Sequence, residues 1–153
     1  MPIPPKTAQS HYQANSAKEM SFLSKLPLTI SALLILWSIT VRSAPNTNIT
    51  SVLCNSGTYT AGDPFTISLA YVLSDLLAVT PSRKDHDYYN VSPFPNAFAY
   101  GHAACKANLA GGDCSVCLRS AKGVMNTTCG MAIGARSSLV DCAIRYEQYP
   151  FVN

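Results

Sequence analysis

Three of the six cysteines fall in one short array, Cys105 to Cys117, with the spacing C-x8-C-x2-C. Sulfur at that spacing supports three kinds of chemistry. Cys114 and Cys117 can cycle as a dithiol, form half of a zinc site, or leave in different directions as anchors of separate disulfides. The intervening Gly111-Gly112-Asp113 reads as a turn followed by a helix N-cap, which sets Cys114 and Cys117 one turn apart on one helical face. The redox compartment separates the three readings, and the N-terminus carries that information.

Residues 28–41 form an apolar run without charge, preceded by Lys25 and followed by Arg42, Ser43 and Ala44. That is the shape of a signal peptide. The run is shorter than the about 20 apolar residues a membrane span requires, so no stable membrane insertion of the mature protein is expected. Ser43, with Val41 two residues before it, suits cleavage just before Ala44. Met20, followed by Ser21-Phe22-Leu23-Ser24-Lys25, makes a more ordinary start than Met1. The chain is therefore expected to divide into an N-terminal extension and signal peptide, residues 1–43, and one secreted domain, residues 44–153, delivered to the extracellular space.

Secretion settles the sulfur chemistry. Cys54, Cys105, Cys114, Cys117, Cys129 and Cys142 all lie in the mature part, and an even count in a small secreted chain reads as three disulfides. A zinc site would want a second CxxC or a histidine pair at ligand spacing, whereas His86 and His102 are isolated. A redox couple would want a βαβ setting and would leave four cysteines unexplained. No metal, cofactor or catalytic residue is expected, and the protein is read as a non-enzyme. Three sequons fit the same compartment, Asn48-Ile49-Thr50, Asn90-Val91-Ser92 and Asn126-Thr127-Thr128. Asn48 is the favoured acceptor, and Asn126, close to Cys129, is expected to be buried.

The formal charge of +3 belongs entirely to residues 1–43, where Lys6, Lys18, Lys25 and Arg42 outweigh Glu19. The mature domain is neutral and has no basic stripe, which removes the electrostatic footprint for nucleic acid or anionic lipid. The run Arg83-Lys84-Asp85-His86-Asp87 is read as solvated surface.

These residues must be positioned by two helices and several strands. Phe65, Leu69, Val72, Leu73, Leu76 and Leu77 recur at helical spacing over residues 65–79, with Asp63 as N-cap, Pro64 in the first turn and Pro81 as the stop. A second helix is expected over residues 113–129. Strands are expected at residues 51–55, 97–106, 133–137 and 141–148, with one more edge strand in the loop 82–96. In the last strand Arg145 and Glu147 share one face and Cys142 lies on the other. Two helices packed on one antiparallel sheet, an α+β domain, is the economical architecture.

Several segments in combination, Leu53-Cys54-Asn55, Tyr100-Gly101-His102-Ala103-Ala104-Cys105, the C-x8-C-x2-C array, Ala132-Ile133-Gly134-Ala135-Arg136 and the stretch from Cys142 to Phe151, closely resemble the ginkbilobin-type antifungal domain of plants. That extracellular module is also found in cysteine-rich repeat secretory proteins and cysteine-rich receptor-like kinases. The resemblance implies a five-stranded antiparallel sheet carrying two helices and stapled by three disulfides, pairing Cys54 with Cys129, Cys105 with Cys114, and Cys117 with Cys142. It also implies mannose binding through an Asn, an Arg and a Glu, which fall on Asn55, Arg136 and Glu147. The chemistry suits a sugar, since a carboxylate acceptor, a guanidinium fork and a two-way amide can read adjacent hydroxyls. Each residue also has a purely structural account: Asn55 as a turn residue, Arg136 as a partner of Asp141, and Glu147 as a solvated strand charge.

The expected function is that of a secreted plant defence protein, a monomeric mannose-binding lectin that inhibits fungal growth by engaging mannose-bearing cell-wall glycans. The alternative is an extracellular protein-interaction or signalling module that keeps the fold without using the sugar site.

Overall fold

The computed structural model describes residues 44–152. The signal-peptide and initiator readings on residues 1–43 lie outside the described residues. Among the described residues five strands and two helices follow one another: β1 (Ile49–Cys54), α1 (Phe65–Val79), β2 (Asp87–Val91), β3 (Tyr100–Cys105), α2 (Gly111–Cys129), β4 (Gly134–Leu139) and β5 (Cys142–Glu147). The strands form one sheet in the order β1-β4-β5-β3-β2, with every neighbouring pair antiparallel.

Helix α1 begins where Asp63 offers acceptors to the first free N–H groups. Its Oδ1 accepts from the Phe65 N–H at 2.9 Å, and its carbonyl accepts from the Thr66 N–H at 2.9 Å. Pro64 adds a pre-set helical φ of −52°; it has no N–H to leave unsatisfied there. The stretch Phe65–Ser82 is long and apolar enough to cross a membrane by length and composition. Here that apolarity serves the core: Phe65, Val72 and Leu76 are fully buried.

Helix α2 starts earlier than the sequence suggests. Gly111 and Gly112 are its first turn rather than a preceding turn, and the Cys114 N–H already donates to the Ala110 carbonyl at 2.9 Å. Gly111 is needed for proximity, because a Cβ there would lie 2.6 Å from the carbonyl oxygen of Pro81 in the short 3-10 turn Thr80–Ser82 that follows α1. Asp113 sits in the first turn, where its charge suits the helix N-terminus.

Both helices cover one face of the sheet. Ala103, Ala135, Cys142, Ile144 and Tyr146 point into the core they share with Leu69, Val72, Leu76, Leu118, Ala121 and Met125. Three disulfides bind α2 to that sheet: Cys105–Cys114 at its first turn, Cys117–Cys142 one turn later, and Cys54–Cys129 at its last residue. The last closes 75 residues, which on the chain-entropy model is worth about 4 to 5 kcal/mol. Cys114 and Cys117 are fully buried and committed to different partners, so they do not form a dithiol couple.

The sequons differ in their surroundings. Asn48 is exposed, and Asn126 is exposed as well, on the outer side of the last turn of α2, rather than buried beside Cys129. Asn90 is half-buried, with Nδ2 donating to Asp75 Oδ2 at 2.7 Å.

Tyr146 gives the core a chemical handle. Its ring is buried and its hydroxyl donates to the Ala132 carbonyl at 2.9 Å. Burial, reinforced by Tyr59 and Glu147, pushes the phenol up to about 12. A raised phenol contributes stability that is whole below the unfolded value of about 10 and is lost as pH rises through the folded value. Ultraviolet titration of phenolate absorbance should show one tyrosine step near pH 12 coinciding with loss of near-ultraviolet circular dichroism. Tyr146→Phe should delete that step and lower stability by about 1 kcal/mol.

Candidate functional site

The face of the sheet opposite the helices is where the polar residues gather. Cross-strand register sets them in rows. Glu147 of β5 lies opposite Gly134 of β4 and Tyr100 of β3. One step along, Arg136 of β4 lies between Leu53 of β1 and Arg145 of β5. Asn55 follows β1 directly and is fixed to the same place by its N–H, which donates to the Gly134 carbonyl at 2.8 Å. Asn55 just past β1, Arg136 of β4 and Glu147 of β5 therefore line one cleft of about 280 Å³ together with Leu53, Gly134, Arg145 and Tyr149.

Glu147 is the unusual member. It is only 7% exposed, and buried carboxylates need partners. Arg145, two residues before it on the same face, supplies them through Nε at 3.1 Å and Nη2 at 3.0 Å, both to Oε1. The other oxygen, Oε2, is buried and accepts no hydrogen bond among the described residues. It fits because residue 134 is glycine: a Cβ there would lie 1.7 Å from Oε2. The strand position opposite Glu147 is empty of side chain, and the carboxylate occupies that space.

The two arginines are cross-strand neighbours, and like charges directly opposite repel. They are not equivalent. Arg145 is bound to Glu147, with its guanidinium carbon 4.1 Å from the centre of the Phe151 ring. Arg136 is exposed, and among the described residues no carboxylate lies within ion-pair distance of it. Asp141, its alternative partner by sequence, is engaged elsewhere. The Asn46 N–H at 2.7 Å from Oδ2 and then Lys106 at 3.0 Å from Oδ1 hold its carboxyl below the usual range.

Asn55 does serve as a turn residue, since its Oδ1 accepts from the Gly57 N–H at 3.0 Å. That bond occupies Oδ1 and leaves Nδ2 as the amide's remaining donor. The cleft is thus lined by a carboxylate with one oxygen buried, an exposed guanidinium and an amide.

Sequence reasoning missed Gly134, Arg145, Leu53 and Tyr149 as cleft residues. The alternation of β5 did place Arg145 beside Glu147, but nothing in one sequence says that a glycine on another strand makes room for a carboxylate. His102, isolated in the sequence, acquires neighbours from the edge strand β2. Its Nε2 is 2.9 Å from Asp87 Oδ1, and its ring is stacked 3.8 Å from Tyr89.

The unequal roles of the arginines are measurable. Arg145→Ala leaves a buried carboxylate without its charge partner and should lose about 3 kcal/mol in urea denaturation. Arg136→Ala should stay within about 0.5 kcal/mol of the parent. Equal losses in the two variants would contradict the assignment of Arg145 as the structural arginine.

Comparison with known proteins places this geometry in context. The family model described as salt stress response/antifungal matches residues 53–149. The chain is 38% identical over 141 residues to antifungal protein ginkbilobin-like protein 1 of Picea glauca, covering 86% of this chain and all of that one. It is 37% identical over 112 residues to antifungal protein ginkbilobin-2 of Ginkgo biloba, covering 72% of this chain and 84% of that one. Among solved structures, the tandem DUF26 ectodomain of the Arabidopsis thaliana cysteine-rich receptor-like protein PDLP5 superposes with a TM-score of 0.63 at 21% identity, a likeness of fold. The corresponding ectodomain of PDLP8 gives 0.55 at 30% identity. These matches cover 69% and 67% of this chain, which spans about half of each tandem ectodomain, 52% and 45% respectively.

Proposed function

The chain belongs to the salt stress response/antifungal family of plant proteins, and on that footing we propose that it is a secreted defence protein that restrains fungal growth by binding mannose-type carbohydrate in the cleft of Asn55, Arg136 and Glu147. Residues 1–43 are then the leader and residues 44–153 the working domain. The observation that carries the sugar reading is the buried, unaccompanied Oε2 of Glu147. A buried acceptor with no donor is a standing deficit of about 1 to 3 kcal/mol, more for a charged group, which a ligand hydroxyl relieves on entry. On binding, the Glu147 carboxylate turns Oε2 outward to accept from a sugar hydroxyl, whose oxygen, or its neighbour's, accepts from Arg136 or from Asn55 Nδ2. A polyol satisfies all three groups without bringing a charge into a cleft already balanced between Glu147 and Arg145.

A shallow cleft holding one ring gives modest affinity, and the dense mannose arrays of a fungal wall would raise it by avidity. Fungal cell-wall glycans are the proposed partner.

The second reading, a protein-interaction module, draws on the exposed Ile49 and Leu53 at the β1 edge and on the likeness to receptor ectodomains. Calorimetric titration of the folded, disulfide-bonded domain separates the two. Mannose should bind saturably, and Arg136→Ala and Glu147→Gln should each weaken it at least about tenfold with folding intact. Gly134→Ala should do the same by forcing the Glu147 carboxylate out of its place. Unchanged binding in these variants removes the cleft from the function. The absence of mannose binding in the parent protein favours the interaction module.

A further inference from the structure

The open face of the sheet does not end at the cleft. The row that runs Gly134, Glu147, Tyr100 continues to Val91 on β2, and the row Arg136, Arg145, His102 continues to Tyr89. At that side lies a second hollow of about 300 Å³, lined by Tyr89, Val91, Tyr100 and Phe151 with the backbone neighbours Asn90 and Gly101. Tyr100 and Phe151 are half-buried, while its outer side chains are open for large apolar residues. Tyr89 is 50% exposed and Val91 44%, with Phe98 and Tyr149 exposed nearby.

These rings are also held in place. Tyr89 lies nearly parallel to the His102 ring, 3.8 Å away and 20° inclined, and Asp87 fixes that histidine from Nε2. Phe151 packs at 6.4 Å against Tyr89 and covers the Arg145 guanidinium. One face of Tyr89 rests on His102, so its solvent-facing area is the other face of a ring that has little freedom left to lose on binding. Rigid aromatic faces with a hydroxyl at the rim favour a ligand that is apolar on one side and hydroxylated at its edge. A pyranose ring has that character.

We infer that this aromatic hollow is a second sugar subsite, which seats a further hexose of the same glycan whose first ring lies over Asn55, Arg136 and Glu147. The inference rests on the carbohydrate reading of the first cleft. The two are physically joined. Tyr100 is the cross-strand neighbour of Glu147, and Phe151 stacks on the arginine that holds Glu147. From β5 to β2 is two strand spacings, about 10 Å, within the span of a short linear oligosaccharide. The preferred ligand is then an oligomannoside rather than a terminal mannose alone, because linking two contacts makes the second one intramolecular.

The test is calorimetric titration of the disulfide-bonded protein with mannose and with a linear mannotriose, for the parent, Tyr89→Ala and Tyr89→Phe, with folding checked by circular dichroism. The parent should bind mannotriose about tenfold more tightly than mannose. Tyr89→Ala should abolish that advantage and leave mannose affinity unchanged, and Tyr89→Phe should keep it, since the ring face carries the contact. Equal affinity of the parent for both ligands, or an advantage that survives Tyr89→Ala, overturns the subsite and leaves the first cleft standing. Failure of the parent to bind either ligand overturns the carbohydrate reading itself, and the subsite with it. Self-association in sedimentation that Tyr89→Ala removes also overturns the subsite, because the patch would then be an interface between copies.

Discussion

Helix α2 is pinned to the sheet by sulfur at its first turn, one turn later and at its last residue, and the rest of the domain follows from that constraint. A chain this short buries too little apolar surface to offset its conformational entropy comfortably. Covalent links lower the entropy of the unfolded state instead. With α2 fixed to β1, β3 and β5, helix α1 needs only one apolar stripe, Phe65 to Leu76, to complete the layer. Gly111 shows how close the layer is drawn, since the Pro81 carbonyl occupies the space a side chain would take.

Placing both helices on one face frees the other. An antiparallel sheet tolerates water on one side, and here that side holds nearly all the chemistry: two arginines, a glutamate, a histidine and several open aromatic rings. The separation is a consequence of strand alternation. Ile144 and Tyr146 turn inward, while Arg145 and Glu147, alternating with them, turn outward. Glu147 is nevertheless buried, because Arg145 lies along it and Gly134 leaves room beneath it. A charge is thereby kept out of bulk water on the solvent side of the sheet, with one oxygen paired to Arg145 and the other buried against Gly134.

The pairing of Arg145 with Glu147 also sets Arg136 apart. Two facing guanidinium groups would repel, but the carboxylate neutralises one of them. The other, Arg136, keeps its charge and its exposure. The paired and the exposed arginine are thus cross-strand neighbours, distinguished by which of them meets the glutamate.

The fold class, both helices, the position of the last strand and the compartment-dependent chemistry of the cysteines were legible in the sequence, because each is written in local periodicity or composition. The stripe of α1, the Asp63-Pro64 start and the alternation from Cys142 to Glu147 are nearest-neighbour patterns that act over a few residues. The resemblance to a family added Asn55, Arg136 and Glu147 as a set, but no local rule joins positions so far apart in the chain. Their meeting is decided by sheet order, which sets β4 between β1 and β5. The same is true of Gly134 beneath Glu147, of His102 against Asp87 and Tyr89, and of the exposure of Asn126. Composition and spacing determine what each segment becomes; which side chain fills the space another leaves empty depends on long-range strand pairing, and that is settled only when the chain closes on itself.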